Sequence, residues 1–286
     1  MTKFYSMNKI STLLVTVLTL SSCAGSYNIQ GSSNVSDLDG QKLYLKVPKG
    51  DAMVNLDSCD VVHGQFTFNG NTDSARIAHI YMDDKNLMVP IVVEKGDITV
   101  KLDNSVQKIS GTPLNDKLSE FWNHFLQIQY QYADLDHEQS ASLLNGQDEA
   151  EVNQRLVKRA LTIFSKYDKM FTKFVTDNYN NVLGPWAFLT RVSYDSAPGL
   201  YPAWMSDYML MNALNQLPSW IEYIVVKAPD SFKNDPDVKE FYTQFQEWQR
   251  KNSGMETTPA TPIPSTSVGD APAPPTPNDM ASDSVQ

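Results

Sequence analysis

The sequence predicts an α+β protein: an N-terminal antiparallel β-sandwich, then an all-helical domain, then a disordered proline-rich tail. Up to about residue 112, apolar and polar residues alternate in short runs that end at Gly, Asn or Asp turns, as they do in antiparallel sandwiches. From residue 113 to 252, apolar residues recur every three or four positions, as they do in amphipathic helices. From residue 253 onward there is no Lys or Arg and proline is frequent, which predicts disorder.

The chain divides into five predicted segments, each with its own composition. We expect a signal peptide over 1–22, a lipidated Cys23 with a flexible spacer over 23–36, a β-sandwich over 37–112, a helical domain over 113–252 and a tail over 253–286.

The first segment has the layout of an export signal. Lys3 and Lys9 precede an apolar run from Leu13 to Leu20, which is shorter than the ~20 residues that a transmembrane helix needs. The ending Leu20-Ser21-Ser22-Cys23 resembles the lipobox of bacterial lipoproteins. The resemblance implies cleavage before Cys23 and lipid on its thiol, and Ala24 then favours the outer membrane. No acidic cluster follows Cys23, which favours the periplasmic face over surface display. The alternative is an ordinary signal with a chance cysteine near its cut site.

The net charge and the cysteine content argue against some binding partners and against an intramolecular disulfide. The chain carries 23 basic and 33 acidic residues, a net charge of −10. Such an acidic surface argues against binding to nucleic acid or to anionic lipid, so membrane contact is expected through the lipid on Cys23. The other cysteine, Cys59, then has no intramolecular disulfide partner. It is either a candidate redox thiol or a small core side chain, and the second interpretation is favoured.

Alternation and turn residues place the strands of the sandwich. The expected strands cover about residues 43–47, 54–62, 66–68, 77–82, 88–94 and 97–102. Because no helical pattern separates them, parallel pairing is not expected.

Four short motifs in this region carry a family resemblance. They are Asp57-Ser58, the run Gly64 to Gly70, the run Pro90 to Ile98, and the run Ser110 to Asn115. Their order and spacing resemble the family called domain of unknown function 4369. The resemblance implies a β-sandwich at the front of periplasmic lipoproteins of Gram-negative bacteria, commonly followed by helices and a thioredoxin-like thiol-disulfide oxidoreductase domain. The chain has no Cys-x-x-Cys, so we expect the front of that architecture without its catalytic part.

The helical domain begins at Thr112-Pro113, a hydroxyl cap followed by proline at the first helical position. Two long apolar stripes on either side of Asn145-Gly146 predict an αα-hairpin. Shorter helices are expected over 185–191, 202–217 and from 236 to about 254, whereas 221–226 fits a helix or a strand. The tryptophans either line a sugar- or peptide-binding groove or belong to the core, which is favoured: Trp122, Trp186, Trp204, Trp220, Trp248.

The sequence offers little evidence of a catalytic, metal-binding or cofactor-binding motif. The four histidines have no paired spacing, so we expect no metal, and neither a nucleophile motif nor a phosphate-binding loop occurs, so we expect no cofactor. Ser74, Ser196 and Ser284 each follow an aspartate and precede an apolar residue, which resembles a sequon for periplasmic O-glycosylation.

These observations predict a non-enzymatic, lipid-anchored envelope protein that binds or scaffolds another envelope component. The alternative is an accessory or sensor for a separate periplasmic thioredoxin-like oxidoreductase, with Cys59 as a candidate contact. An enzyme with an unrecognised site is the third hypothesis.

Overall fold

The structure, a computed structural model, describes residues 25–50, 52–82, 87–103, 107–197, 199 and 201–252. Cys23, Ser284, the signal segment and the tail lie outside these residues. The strands are β1 Gly25–Ser33, β2 Lys42–Lys49, β3 Ala52–Asp60, β4 Gln65–Thr72, β5 Arg76–Met82, β6 Leu87–Val93, β7 Gly96–Leu102 and β8 Gln107–Ser110. The helices are α1 Pro113–Leu144, α2 Glu149–Asp177, α3 Leu183–Asp195, α4 Ser206–Lys227, α5 Asp230–Lys233 and α6 Pro236–Asn252.

The strands form two four-stranded sheets, in the orders β4-β1-β7-β8 and β3-β2-β5-β6. Their inward faces share one apolar core that includes Ile29, Leu45, Phe68, Ile80 and Val100. Alternate residues of each strand enter this core, which explains the period-two pattern of the sequence. The predicted α+β fold with a leading sandwich is confirmed.

One pairing contradicts the expectation of purely antiparallel sheets. β1 pairs parallel to β7, with Ile29 opposite Ile98, whereas the other strand pairs are antiparallel. Parallel neighbours need a long connection, and here the strands β2 to β6 provide it instead of a helix.

The prediction of a flexible spacer over 23–36 is wrong from Gly25 onward. Residues Gly25–Ser33 form β1, a central strand between β4 and β7, and Ser36–Leu38 form a 3-10 turn. Only Tyr27 and Ile29 supply large apolar side chains to the core from β1. The sandwich therefore begins at Gly25 rather than near residue 37.

The predicted αα-hairpin is confirmed, with α1 and α2 joined through Asn145 and Gly146. Gly146 takes a left-handed backbone (φ +75°), and Asp148 begins α2 by accepting the backbone N–H of Glu151 at 3.0 Å. Aromatic rings fill the space between the helices: Phe121 and Phe125 of α1 each lie edge-on to Phe171 of α2. This packing supplies the partner that each apolar stripe required.

α3 and α4 extend further than predicted, whereas α6 agrees with its prediction to within about two residues. α3 extends from Leu183 to Asp195, and α4 continues through Pro218 to Lys227, so residues 221–226 are helical rather than a strand. No helix in the described residues combines the length and the apolarity needed to cross a membrane.

The described residues divide into two compact units, one up to Tyr242 and one from Thr243 to Asn252. The first unit contains both sheets and α1 to α5, and α1 contacts β6 and β8 directly. In the described part of the second unit, the rings of Phe245 and Trp248 stack with 6.1 Å between centroids.

Candidate functional site

A groove of about 650 Å³ lies between the sandwich and α3 in the first unit. β2 and β5 form one wall with Val47, Pro48 and Ile77, and α3 forms the other with Trp186 and Leu189. Volumes of this order hold small ligands or several side chains of a partner. The groove is the strongest candidate binding site in the described part of the chain.

The sequence of α3 divides the helix into two faces. Pro185, Trp186 and Leu189 are half-buried and line the groove, whereas Phe188 and Arg191 are fully buried in the helical half. Residues three and four apart share a helix face, so one short helix serves as groove wall and core element together. Contacts that hold the buried face of α3 in place therefore also determine the shape of the groove.

Charged groups stand on both sides of the apolar lining. Lys49 and Arg76 belong to the strand wall, and Arg76 Nη2 donates to Thr72 Oγ1 at 3.3 Å. Asp235 lies at the start of α6 and accepts the backbone N–H groups of Asp237 and Val238, each at 3.2 Å. Burial raises the pKa of Asp235 above its ordinary value. Asp235 is therefore engaged as a helix cap, whereas Lys49 and Arg76 are placed to orient a bound group.

His79 also lines the groove. Its Nδ1 is buried and has no hydrogen-bond partner among the described residues. Burial lowers the pKa of His79, so the ring is neutral at neutral pH. A neutral imidazole has one N–H donor and one acceptor nitrogen. It can therefore form a hydrogen bond with an occupant without adding charge to the apolar lining.

A buried ionic cluster supports α3 from the opposite side. Arg191 has no exposed surface; its Nε lies 3.2 Å from Asp195 Oδ2, and its Nη2 lies 2.8 Å from Asp168 Oδ1. Tyr167 donates its hydroxyl hydrogen to Asp195 Oδ1 at 2.8 Å, and Trp220 stacks 4.0 Å from the guanidinium carbon. The cluster ties α3 to α2 and α4, which holds the groove wall in place.

Sequence reasoning missed this cluster, although one signal was present. Arg191 and Asp195 are four residues apart, the spacing at which opposite charges meet on a helix. Nothing local distinguishes such a pair from an exposed one, because their burial depends on α2 and α4.

Cys59, the candidate redox thiol, lies on β3 far along the chain from the groove residues of α3. Its side chain is half-buried and packs against the sandwich core. Burial is the main cause that raises the pKa of the Cys59 thiol, and Asp57 and Asp60 raise it further. The thiolate is the reactive species, so this environment favours the packing interpretation over the redox one.

We therefore expect Cys59 to react with a maleimide severalfold more slowly than a free thiol at neutral pH. Since the pKa is raised, the rate should keep increasing as the pH rises beyond the ordinary cysteine range. The measurement is stopped-flow labelling of the Cys23→Ala variant, so that the signal comes from Cys59. The same chain in denaturant is the control, and equal rates in both states would contradict the structure.

The predicted glycosylation sites occupy different settings. Ser74 and its neighbour Asp73 are exposed in the turn between β4 and β5, which keeps this sequon available. Ser196 is exposed, but the preceding Asp195 is fully buried and paired with Arg191. Glycosylation at Ser74 stays a prediction, whereas the burial of Asp195 argues against Ser196. Among the described residues, no three His, Cys, Asp or Glu side chains converge as metal ligands.

Two of the four motifs that carry the family resemblance, Pro90 to Ile98 and Ser110 to Asn115, lie at the junction between the sandwich and α1. Asn115 is fully buried and accepts the backbone N–H of Val92 at 2.9 Å while donating to the carbonyl of Val92 at 2.8 Å. Glu94 accepts the N–H groups of Leu114 and Asn115, which satisfies the first turn of α1. Gly111 has φ +108°, and a Cβ there would lie 2.4 Å from the carbonyl oxygen of Asp97. These motifs build the structure of the junction.

The comparison with protein families identifies the same region. Residues 27–118 match the model of the family described as domain of unknown function (DUF4369). The match covers 92 of the 286 residues, and we refer to this similar region, residues 27–118, as the DUF4369 domain. No curated protein matches the chain.

The DUF4369 match includes the junction between the sandwich and α1. The match continues beyond β8 to residue 118, and it thereby includes Asn115 and Leu118 of α1. Leu118 packs with Val92 in a small buried cluster on the outer face of the sandwich. The strand wall of the groove belongs to the DUF4369 domain, whereas α3 lies beyond it.

Proposed function

We propose that this protein is a non-catalytic, lipid-anchored component of the cell envelope that binds another envelope component. The groove between the DUF4369 domain and α3 carries the proposal. Its apolar walls supply area for burial, and Lys49, Arg76 and His79 supply a few polar groups that fix orientation, the usual design of a binding site. The proposed occupant is an apolar polypeptide segment of the partner.

The proposal also covers the cellular location of the protein and its attachment to the membrane. Cleavage before Cys23 and lipid on its thiol would attach the chain to the outer membrane, on the periplasmic face. Only Ala24 separates Cys23 from β1, which corresponds to about 7 Å of extended chain. The DUF4369 domain would then sit directly at the bilayer rather than on a long spacer. A mature N-terminus without diacylglyceryl, measured by mass spectrometry, would contradict this attachment.

An accessory or sensor role beside a thioredoxin-like oxidoreductase is the alternative proposal. Burial that raises the pKa of the half-buried Cys59 thiol disfavours its reactive thiolate, which makes Cys59 a weak support for that role. A partner of this class would therefore have to bind through surfaces such as the groove.

We expect a charge in the groove to abolish partner binding. Leu189→Asp places a carboxylate on the apolar wall, and recovery of the crosslinked partner from envelope fractions should fall at least about tenfold. The matched control is Leu144→Asp, at a leucine that is 88% exposed at the end of α1. Equal recovery with both variants, at equal thermal stability, would contradict the proposal.

A further inference from the structure

Side chains of α1 cover two of the four edges of the sheets. Asn115 hydrogen-bonds to the N–H and the carbonyl of Val92 on the outer strand β6, and Ser119 Oγ accepts the N–H of Ile109 on the outer strand β8 at 3.3 Å. Unpaired backbone groups at an edge can recruit a strand of another chain. These bonds therefore protect β6 and β8 from such pairing.

β3 is an outer strand of the second sheet, and only its second half is covered. There Asp57 Oδ2 accepts the N–H of Asn69 on β4 at 3.2 Å. A bulge leaves Leu56 without a partner on β2 and separates the two halves. In the first half, residues 52–56 are all exposed, and no side chain in the described part of the chain hydrogen-bonds to their backbone. We call residues 52–56 the open edge.

The pairing of β2 with β3 determines which backbone groups of the open edge point outward. Pro48 lies opposite Met53. A hydrogen-bonded pair of an antiparallel ladder exchanges two N–H···O bonds, and Pro48 has no N–H to donate. Met53 is therefore at a non-hydrogen-bonded position, and Asn55, two residues on, is at another. Both residues direct their N–H and carbonyl groups away from β2, towards the free side of the sheet.

The open edge lacks the residues with which soluble proteins usually protect a free strand. It contains no charged residue and no proline, whereas Lys or Pro commonly prevents pairing at an edge. Its large apolar side chains are exposed instead, Met53 at 42%, Val54 at 41% and Leu56 at 37%. Free backbone groups beside exposed apolar side chains are the features that bind an extended polypeptide as an added strand.

Charge and position indicate which polypeptide this is. The charged residues of β3, Asp57 and Asp60, are both acidic and the chain has a net charge of −10, so a second copy of the same edge would be repelled. An apolar segment next to a Lys or Arg complements this edge. Pro48, opposite Met53, also lines the groove, so the open edge is continuous with the wall that contacts the proposed partner.

We propose that the open edge binds an extended apolar segment of the partner as an added β-strand, with a basic residue of that segment near Asp57. The inference rests on the proposed function and deepens it, because it assigns the conformation and the neighbouring charge of the segment that the partner supplies. Backbone groups of the added strand bond to Met53 and Asn55, and its apolar side chains pack beside Met53 and Val54.

Met53→Pro tests the backbone contact. Proline removes the outward N–H but should leave the midpoint of thermal unfolding unchanged, because that N–H is not part of the ladder with β2. Met53→Thr is the matched control, since it also replaces the methionine side chain but keeps the N–H. The readout is the adduct that a benzophenone side chain at Asn55 of the full chain forms in cells. Met53→Pro should lower its yield at least about tenfold, and Met53→Thr by about threefold or less.

Mass spectrometry should map the Asn55 adduct to an apolar segment of an envelope protein, next to a Lys or Arg. An adduct that keeps its yield in Met53→Pro, or a lower unfolding midpoint of that variant, would overturn strand addition. An adduct between two copies of this chain would assign the open edge to self-association instead. If benzophenone at Thr190 in the groove forms an adduct and benzophenone at Asn55 does not, strand addition is wrong and the groove proposal stands. Absence of both adducts would contradict both.

Discussion

Replacing Arg191 with methionine is expected to lower the free energy of unfolding by about 3–5 kcal/mol at neutral pH. Methionine keeps much of the aliphatic volume but removes the guanidinium between Asp195, Asp168 and Trp220. Asp195, which has no exposed surface, then keeps a buried charge without a cation. Because α3 also forms the groove wall, binding should weaken together with stability.

The pH dependence of this loss has a defined sign. Burial already raises the pKa of Asp195, and Arg191 partly offsets that rise, so the variant raises it further. A carboxyl whose folded pKa exceeds its unfolded value stabilises the fold in acid and loses that contribution as pH rises through the folded pKa. The deficit of the variant should therefore be smallest in acid and should grow towards neutral pH.

Chemical denaturation at several pH values measures the effect. Arg159→Met on α2 is the control, because Arg159 forms an ion pair with Glu138 while half of its side chain is exposed, and its loss should be below about 1 kcal/mol. Adding Asp195→Leu to Arg191→Met should recover part of the lost stability, since it removes the uncompensated charge. Equal losses for Arg191→Met and Arg159→Met would contradict the structural role of the cluster.

Replacing Asn115 with alanine is expected to destabilise the protein by about 2–4 kcal/mol. The change leaves the N–H and the carbonyl of Val92 without their partner, although Val92 has no exposed surface. Strand and helix signals in circular dichroism should fall in one transition at a lower temperature, because Asn115 joins β6 to α1. Asn123→Ala, two turns further along α1, is the control and should shift stability by only about 0.5 kcal/mol.

If Asn115→Ala melted the strands separately while the helices kept their original midpoint, the junction would not couple the two parts. That result would contradict our interpretation that the DUF4369 domain needs the first turns of α1, up to residue 118, for its stability.

Most of the sandwich was predictable because its strands follow the alternating pattern of half-buried sheets. β1 was not, because Tyr27 and Ile29 are its only large core residues, and Gly31 lies where the ring of Phe66 leaves no room for a side chain. Its parallel pairing with β7 depends on contacts about seventy residues apart, which no local pattern encodes.

Five of the six helices in the described residues were predictable in approximate position, whereas the four-residue α5 was not, and the helix ends depended on packing. α4 continues through Pro218, where sequence rules favour a break, because Leu217, Trp220 and Ile221 are buried on both sides of it. Among the tryptophans, the core prediction holds for Trp220, which is 6% exposed, and is wrong for Trp248, which is 53% exposed. Trp186 is half-buried and lines the groove, so the binding alternative stays a prediction for this residue.

The groove itself was not predictable from the sequence. Its residues come from β2, β5, α3 and the start of α6, and each of these segments reads as an ordinary strand or helix. Only the packing of α3 beside the DUF4369 domain brings Pro48, Ile77 and Trp186 together.

Site-specific photo-crosslinking in cells tests the central proposal most directly. A benzophenone side chain at Thr190, in the groove, should form an adduct that maps to one apolar segment of an envelope protein. The same group at Leu144, outside the groove, should not form that adduct. No adduct at Thr190, or the same adduct at both positions, would contradict the groove as the binding site.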